Sequence, residues 1–303
     1  MPRIELRHLR SFIAVARHLH FSHAADELGM APPALTKHIK EAEHLLGVRL
    51  FHRTQRSVAL TAAGAAYLPQ AQAVFDHLVQ GSEAARLAER GELGHIEIGY
   101  VGSAVYAGIL QSAVFSFNRD HPQVEVTIRE HPMGAIAPML LDGTLDVAYV
   151  RPPMPYPEGI QAATVYRDNF VVTLPAHSPL AEFDVLKPKQ LHDQLFVLPE
   201  QAFGTLEVAR RGGFTPRLGP SPGSLIAVLS IVSLGQGIAV LPDTFTRCVS
   251  LAGVVCRPLA GKPVPSELAL IFRRHERAPA VQLFLKHART EHAAAASRVK
   301  HPT

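Results

Sequence analysis

Pro33, Thr36, Lys37 and Lys40 stand at i, i+3, i+4 and i+7 in PPALTKHIKEAE, a spacing that puts them on one face of a helix. Two ammonium groups and a hydroxyl in a stripe suit phosphate oxygens and base edges; they are not a bond-breaking constellation. Leu35, Ile39, Ala42 and Leu46 follow at i, i+4, i+7 and i+11 and give the opposite face to a core. The elements that must aim the stripe lie just upstream. Gly29 supplies a left-handed stop to a short helix carrying Ala24, Ala25 and Leu28, which Ser22 can cap. Pro32 and Pro33 suit the first turn of the next helix, where a missing amide proton costs nothing. Before both, Leu9, Phe12, Ile13, Ala16 and Leu19 recur at helical spacing, so a first helix is expected over about Leu6 to His18. Helix, tight turn, and helix with a basic outer stripe is the helix-turn-helix arrangement, whose second helix enters the major groove. A three-helix protein-interaction module with a solvated charged face is the plainer alternative. Gly47 then closes the third helix, and LFHRTQRSVALT reads as a hairpin wing whose Arg53 and Arg56 would track a backbone beside the groove.

Charge supports the nucleic-acid reading. Residues 1–61 hold nine Lys and Arg against five Asp and Glu, while the whole chain of 303 residues holds 30 against 26. The remainder therefore carries 21 of each sign, and the entire formal excess of +4 sits in the first fifth, which points to a polyanion partner for that segment alone. With 47% hydrophobic and 18% charged residues the composition is globular, and the length implies two or three domains. No signal peptide is read at the N-terminus, where Arg17 interrupts a short apolar run. The longest apolar segment, Leu225 to Leu241, is broken by Gly235, Gln236 and Gly237, so no membrane partner is expected and the location expected is cytoplasmic. Cys248 and Cys256 give neither a disulfide framework nor a zinc signature. His18, His20 and His23 cluster around a helix connection, a poor place for a metal site. No metal, cofactor or catalytic residue is expected: the sequence has no P-loop, no G-x-S-x-G and no His-Glu metal motif, and GHIEIGYVGS lacks the dinucleotide spacing. An enzyme acting on a small acid, with an appended DNA-binding head, is the alternative class.

Beyond the wing, Thr61 can cap a further helix in which Leu68, Ala71, Phe75, Leu78, Ser82 and Ala85 alternate spacings of three and four, as in a heptad seam, with Pro69 bending it or marking an initial turn. Such a stripe either packs on its own domain or joins two copies. The polar, Gly-rich ERGELGH, residues 89–95, marks a domain boundary. From His95 the pattern becomes strand, helix, strand, helix, strand, and a second run of the same kind begins at VYRDNFVVTLP. Short connections argue for a parallel α/β sheet with crevices at the carboxyl ends of its strands, in two hinged halves. At those ends, Gly102 and Ser103 open a helix whose amides suit a carboxylate, although Ser103 could serve only as an N-cap. Arg151, after DVAYV, is either a bidentate carboxylate anchor or a surface arginine. Phe203 and Leu225 would supply apolar walls.

The run LGMAPPALTKHIKEAEHLLGVRLFHRT followed by SVALTAAG resembles the winged helix-turn-helix of the LysR-type transcriptional regulators, and residues 93–290 resemble their effector-binding domain, shaped like the periplasmic solute-binding proteins. The fold this implies is α + α/β: a winged helix-turn-helix over residues 1–61, a dimerisation helix over 62–91, an effector-binding domain over 92–292, and a tail over 293–303 ending in a disordered SRVKHPT. Within the effector domain, subdomain I is expected at about 92–165 and 268–292 and subdomain II at about 166–267. The resemblance places Thr36, Lys37 and His38 at base edges and phosphates. Pro32 stands where the family often has Gln, which shifts weight toward DNA shape. YVGSAVYAG and the Phe203 region look closest to regulators of aromatic-compound degradation. Where those often have Thr, this chain has Ala135 after Met133 and Gly134; the lost hydroxyl favours an aromatic acid over a dicarboxylate. The resemblance further implies double-stranded promoter DNA as partner, a small organic-acid effector, dimers joined into a tetramer, RNA polymerase as a further partner, and usually activation. The effector's identity, the promoter and the direction of regulation are left open by the sequence.

Overall fold

The computed structural model describes residues 4–54 and 57–300. The chain divides into two compact units, Met1–Arg86 and Leu87–Thr303. In the first, α1 (Leu6–His18), α2 (Phe21–Glu27) and α3 (Pro32–Leu46) are followed by the strands β1 (Phe51–Arg53) and β2 (Val58–Leu60) and the long α4 (Ala62–Glu89). Turn chemistry fixes the joints. Gly29 (φ +61°) and Gly47 (φ +70°) adopt the left-handed backbone that ends α2 and α3, and the two prolines open α3. Ser22 is not the cap of α2: His20 takes that position and Ser22 lies one residue inside the helix, because the chain turns helical at Phe21, whose ring packs against Phe51. Thr61 does cap α4, its Oγ1 accepting from the Gly64 amide at 2.9 Å. Gly64 is required there, since a Cβ would run into the Leu50 carbonyl.

Phe12, Leu35, Ile39, Leu50 and Phe51 are fully buried at the centre of this unit. The seam expected along α4 splits in two. Ala71 is buried in that core, with Leu68 and Phe75 packed against it, so the first half serves its own domain; Leu78 and Val79, at 44% and 70% exposure, do not.

The second unit alternates β3 (Gly94–Tyr100), a 3₁₀ turn (Gly102–Ala107), α5 (Ile109–Asp120), β4 (Val124–Glu130), α6 (Met133–Leu141) and β5 (Val147–Val150). Then follow β6 (Ile160–Pro175), β7 (Leu195–Phe196), α7 (Phe203–Gly212), β8 (Arg217–Leu218) and α8 (Leu225–Ser233). The unit closes with β9 (Ala239–Pro242), α9 (Asp243–Cys248), β10 (Val254–Arg257), β11 (Pro265–Arg273) and α10 (Pro279–Lys300). The main sheet runs β10-β6-β11-β5-β3-β4, with β9 also on β6.

This sheet is mixed, which corrects the expectation of a parallel one. β3 is parallel to β4 and β5, where helices make the crossovers, but β11 is antiparallel to β5 and β6, and β9 and β10 are antiparallel to β6. The cause is β6, a strand of 16 residues shared by two lobes. Its first part, Ile160–Asn169, pairs with β11, and its last part, Phe170–Pro175, pairs with β9 and β10. The first lobe gathers its core around Ile96, Ile98, Tyr149, Phe117 and Phe284; the second around Phe196, Val208 and Val240, with Val228, Val232 and Phe245 beside them. α10 continues to Lys300, eight residues beyond the end expected at His292 and into the segment expected as a tail.

Candidate functional site

On α3 the outer face is built as its spacing requires. Lys37 and Lys40 are exposed, and with Pro33, Thr36, Glu41 and His44 they line a shallow surface concavity. Lys37 makes a 3.9 Å contact to Glu41, with three quarters of its side chain exposed. A surface pair of this kind is worth about 0–1 kcal/mol and is readily exchanged for a phosphate. Thr36 donates its hydroxyl hydrogen to the Pro32 carbonyl at 3.0 Å.

Two of the residues expected at the DNA, His38 and Arg53, make contacts within the head. His38 is half-buried and its Nδ1 is 2.9 Å from Ser11 Oγ, so its ring joins α3 to α1; burial, followed by His8 and Arg7, lowers its pKa below the ordinary histidine value. Arg53 donates to Glu43 Oε2 at 2.9 Å and covers the Phe21 ring at 4.9 Å, bracing the wing against α3 before it meets any partner. Ser22 is exposed on α2, and Arg56 lies outside the described residues.

In the second unit, a cavity of about 630 Å³ opens where the two lobes face each other. Gly102, Ser103, Met133, Arg151 and Leu225, all expected from the sequence, line it. Ala135 and Phe203 do not: Ala135 lies two residues into α6, past the wall at Met133, and Phe203 packs against Phe170 (6.1 Å between ring centroids) in the second lobe's core. Three helix beginnings converge on the cavity: the 3₁₀ turn at Gly102, α6 at Met133 and α8 at Leu225. Unpaired amides and the positive dipole end favour anions at such termini. Ser103 is not a cap, since Val101 precedes the turn in that role.

Arg151 is neither a surface residue nor a free anchor. It is 4% exposed, and its Nη1 lies 3.1 Å from Asp168 Oδ1. The same nitrogen donates to Ser266 Oγ, while Nε and Nη2 donate to Ser103 Oγ and O at 3.4 and 3.3 Å. Asp168 Oδ2 in turn accepts from the Thr244 hydroxyl at 2.5 Å and its amide at 3.2 Å. Burial lowers the guanidinium's pKa and Asp168 opposes that shift; the group stays charged. This network ties β5, β6, β11 and α9 together where the lobes meet, and its positive charge is already neutralised. Two carboxylates instead face the cavity, Glu130 at the end of β4 and Glu200 in the loop before α7. Glu130 Oε1 sits so near Gly102 that a Cβ there would approach it to 2.5 Å. Glu200 Oε1 accepts from the Met133 amide at 2.5 Å. His131 Nε2, on the same wall, is buried with no hydrogen-bond partner among the described residues.

Residues 6–65 match the model of the bacterial regulatory helix-turn-helix protein, lysR family, and residues 89–293 match that of the LysR substrate binding domain. The chain belongs to the LysR family. This LysR-family regulator is 34% identical to the uncharacterized HTH-type transcriptional regulator YnfL of Escherichia coli (strain K12), over 94% of this chain and 97% of that one. It is 31% identical to the HTH-type transcriptional regulator AlsR of Bacillus subtilis (strain 168), over 93% and 94%. Its fold is that of full-length CbnR complexed with its target DNA, at TM-score 0.82 and 24% identity, covering 95% of this chain and 100% of that one. It is a DNA-binding transcriptional regulator, and the enzyme alternative is set aside because the relatives matching across both units are regulators. Among the described residues, no helix is long and apolar enough to cross a membrane.

Sequence reasoning missed Glu130, His131, Glu200 and Ser224 on this regulator's cavity wall. A signal existed for the first two: VEVTIRE ends at Glu130, the same carboxyl end of a strand that singles out Ser103 and Arg151. Glu200 carried none, because β7 is two residues long and nothing in LPEQAF announces a side chain that spans to another lobe.

Proposed function

We propose that this regulator answers to a small organic acid held in the interlobe cavity, its carboxylate on the first-turn amides of α6 and α8 rather than on Arg151. The observation that carries this reading is the convergence of three helix beginnings on one cavity of about 630 Å³, a size suited to a small ligand. A carboxylate of the chain itself already accepts from one of those amides, so the seat has the required chemistry. Tyr106, Phe170, Leu225 and Ile226 give the walls apolar area for an aromatic or aliphatic body. The unpartnered His131 Nε2 gives a second polar contact. Binding would shift the balance between lobe orientations about β6 and β11 and so alter how paired heads sit on promoter DNA, usually toward activation.

Self-association belongs to the same reading. The exposed half of α4, with Val74, Leu78 and Val79, is the surface through which two copies pair, and dimers then assemble into a tetramer. Two paired heads enlarge a contact area that is small for one. RNA polymerase is the expected partner of the DNA-bound oligomer, with Thr36, Lys37 and Lys40 facing the duplex.

The test is thermal unfolding of the full chain with a panel of aromatic and aliphatic carboxylates, each beside its uncharged amide. A fitting acid raises Tm by mass action and its amide does not. Equal stabilisation by acid and amide, or stabilisation only by amines, would remove the acid from this account.

A further inference from the structure

We propose that Glu200 is a built-in competitor for the effector's acid seat: a clasp from the second lobe that holds the α6 amide until an incoming carboxylate displaces it. The inference rests on the acid reading above and adds a residue that sets its affinity and specificity. Glu200 is anchored from behind, its own amide donating to the Gly223 carbonyl at 3.3 Å, while the Leu198 amide donates to the Pro220 carbonyl at 2.9 Å. Its backbone therefore belongs to the second lobe. Its side chain crosses the cavity to the first lobe, where Oε1 accepts from the Met133 amide at 2.5 Å. Gln201 makes a parallel strut, its Nε2 donating to the Pro153 carbonyl at 3.3 Å.

Three features make this more than a helix cap. The residue that caps α6 in sequence, Pro132, offers no side-chain acceptor, so the amide is satisfied from a different lobe. Glu200 is exposed as a residue, so water and ligands reach the bond and can replace it. Glu130 lines the same cavity, so two carboxylates of the chain already stand where an acid would enter. A tethered group acts at a high local concentration, so the acid must outcompete it. Because a charge-assisted hydrogen bond is at stake, removing the competitor is worth about tenfold in affinity.

Hydrogen exchange of the peptide covering residues 131–136 in the unliganded full chain, together with calorimetric titration of benzoate, tests the clasp. Glu200→Gln removes the charge and keeps the shape; Glu200→Asp keeps the charge and loses the reach. Both are expected to speed exchange at Met133 and to tighten benzoate about tenfold. If Glu200→Asp behaves like the native chain in both measurements while Glu200→Gln tightens benzoate, the residue acts only as a repelling charge and the clasp is wrong. Unchanged exchange in Glu200→Asp, which cannot reach the Met133 amide, also overturns it. Benzoate binding all three proteins equally removes the competition alone, whereas failure of benzoate and of every other acid in the panel above to bind any of them removes the acid reading and the competition with it.

Discussion

The two units use cations in opposite ways. In the head, Lys37 and Lys40 stand on the outer face of α3 with little to hold them; in the effector unit, Arg151 sits at the cavity wall but is buried against Asp168, Ser266 and Ser103. Both positions read from sequence as anion contacts. The difference teaches that a cation recognises an outside anion only where the fold has not already supplied one. A helix face leaves its lysines to solvent, whereas a junction between lobes draws in a counter-charge, because an unpaired buried guanidinium is costly. At the cavity, the groups the proposed reading leaves for an acid are the helix beginnings and the His131 imidazole.

The largest expected effect breaks this comparison on the buried side. Asp168→Ala leaves Arg151 uncompensated and is expected to cost about 3–5 kcal/mol in urea unfolding of the effector unit, with helix content of the head retained. A loss below about 1 kcal/mol, the scale of an exposed pair, would mean that Arg151 is not dependent on its partner.

A second, smaller effect concerns a buried group with no counter-charge. His292 packs edge-on to Tyr149, its Nδ1 has no hydrogen-bond partner among the described residues, and burial holds its pKa at about 4. Its folded pKa lies below the unfolded value of 6.5, so the unfolded chain binds the proton first as pH falls. Stability of the effector unit is therefore complete above pH 6.5 and declines between there and about pH 4, by roughly 3 kcal/mol. Unfolding followed across that window should show the slope, and His292→Phe should flatten it; a native profile that is already flat would place a neutralising group beside the ring.

The smallest effect is expected outside. Replacing Lys37 and Lys40 together by alanine should change the head's unfolding free energy by no more than about 0.5 kcal/mol, since neither side chain is buried. A larger loss would show that the stripe supports the fold, which would weaken its assignment to DNA.

How much of this was legible in the sequence follows the same division. Gly29, Gly47, Pro32, Pro33 and Thr61 act locally, through φ, a missing amide proton or a hydroxyl two or three residues away, and their positions in the helices of the head follow from the residue types. Ser22 misled because a capping residue type says nothing of where Phe21 packs. Gly102, Ser103, Met133 and Leu225 reached the cavity because they open elements at strand ends, a place that topology alone fixes. Glu200 and the pairing of Arg151 with Asp168 were hidden, since each depends on contact across 67 and 17 residues of sequence, and β6 looked like an ordinary strand rather than the shared spine that makes the sheet mixed.

The central claim is that the outward stripe of α3 neutralises duplex phosphates. Its most direct measure is the salt dependence of binding: fluorescence anisotropy of the full chain on a promoter duplex, selected by the native protein and titrated from low to high potassium chloride, for the native chain and for the Lys37→Ala, Lys40→Ala double variant. Loss of two phosphate contacts predicts a log–log slope shallower by about 1.8 per head, with weaker binding at every salt concentration. Superimposable slopes for the two proteins would contradict the account.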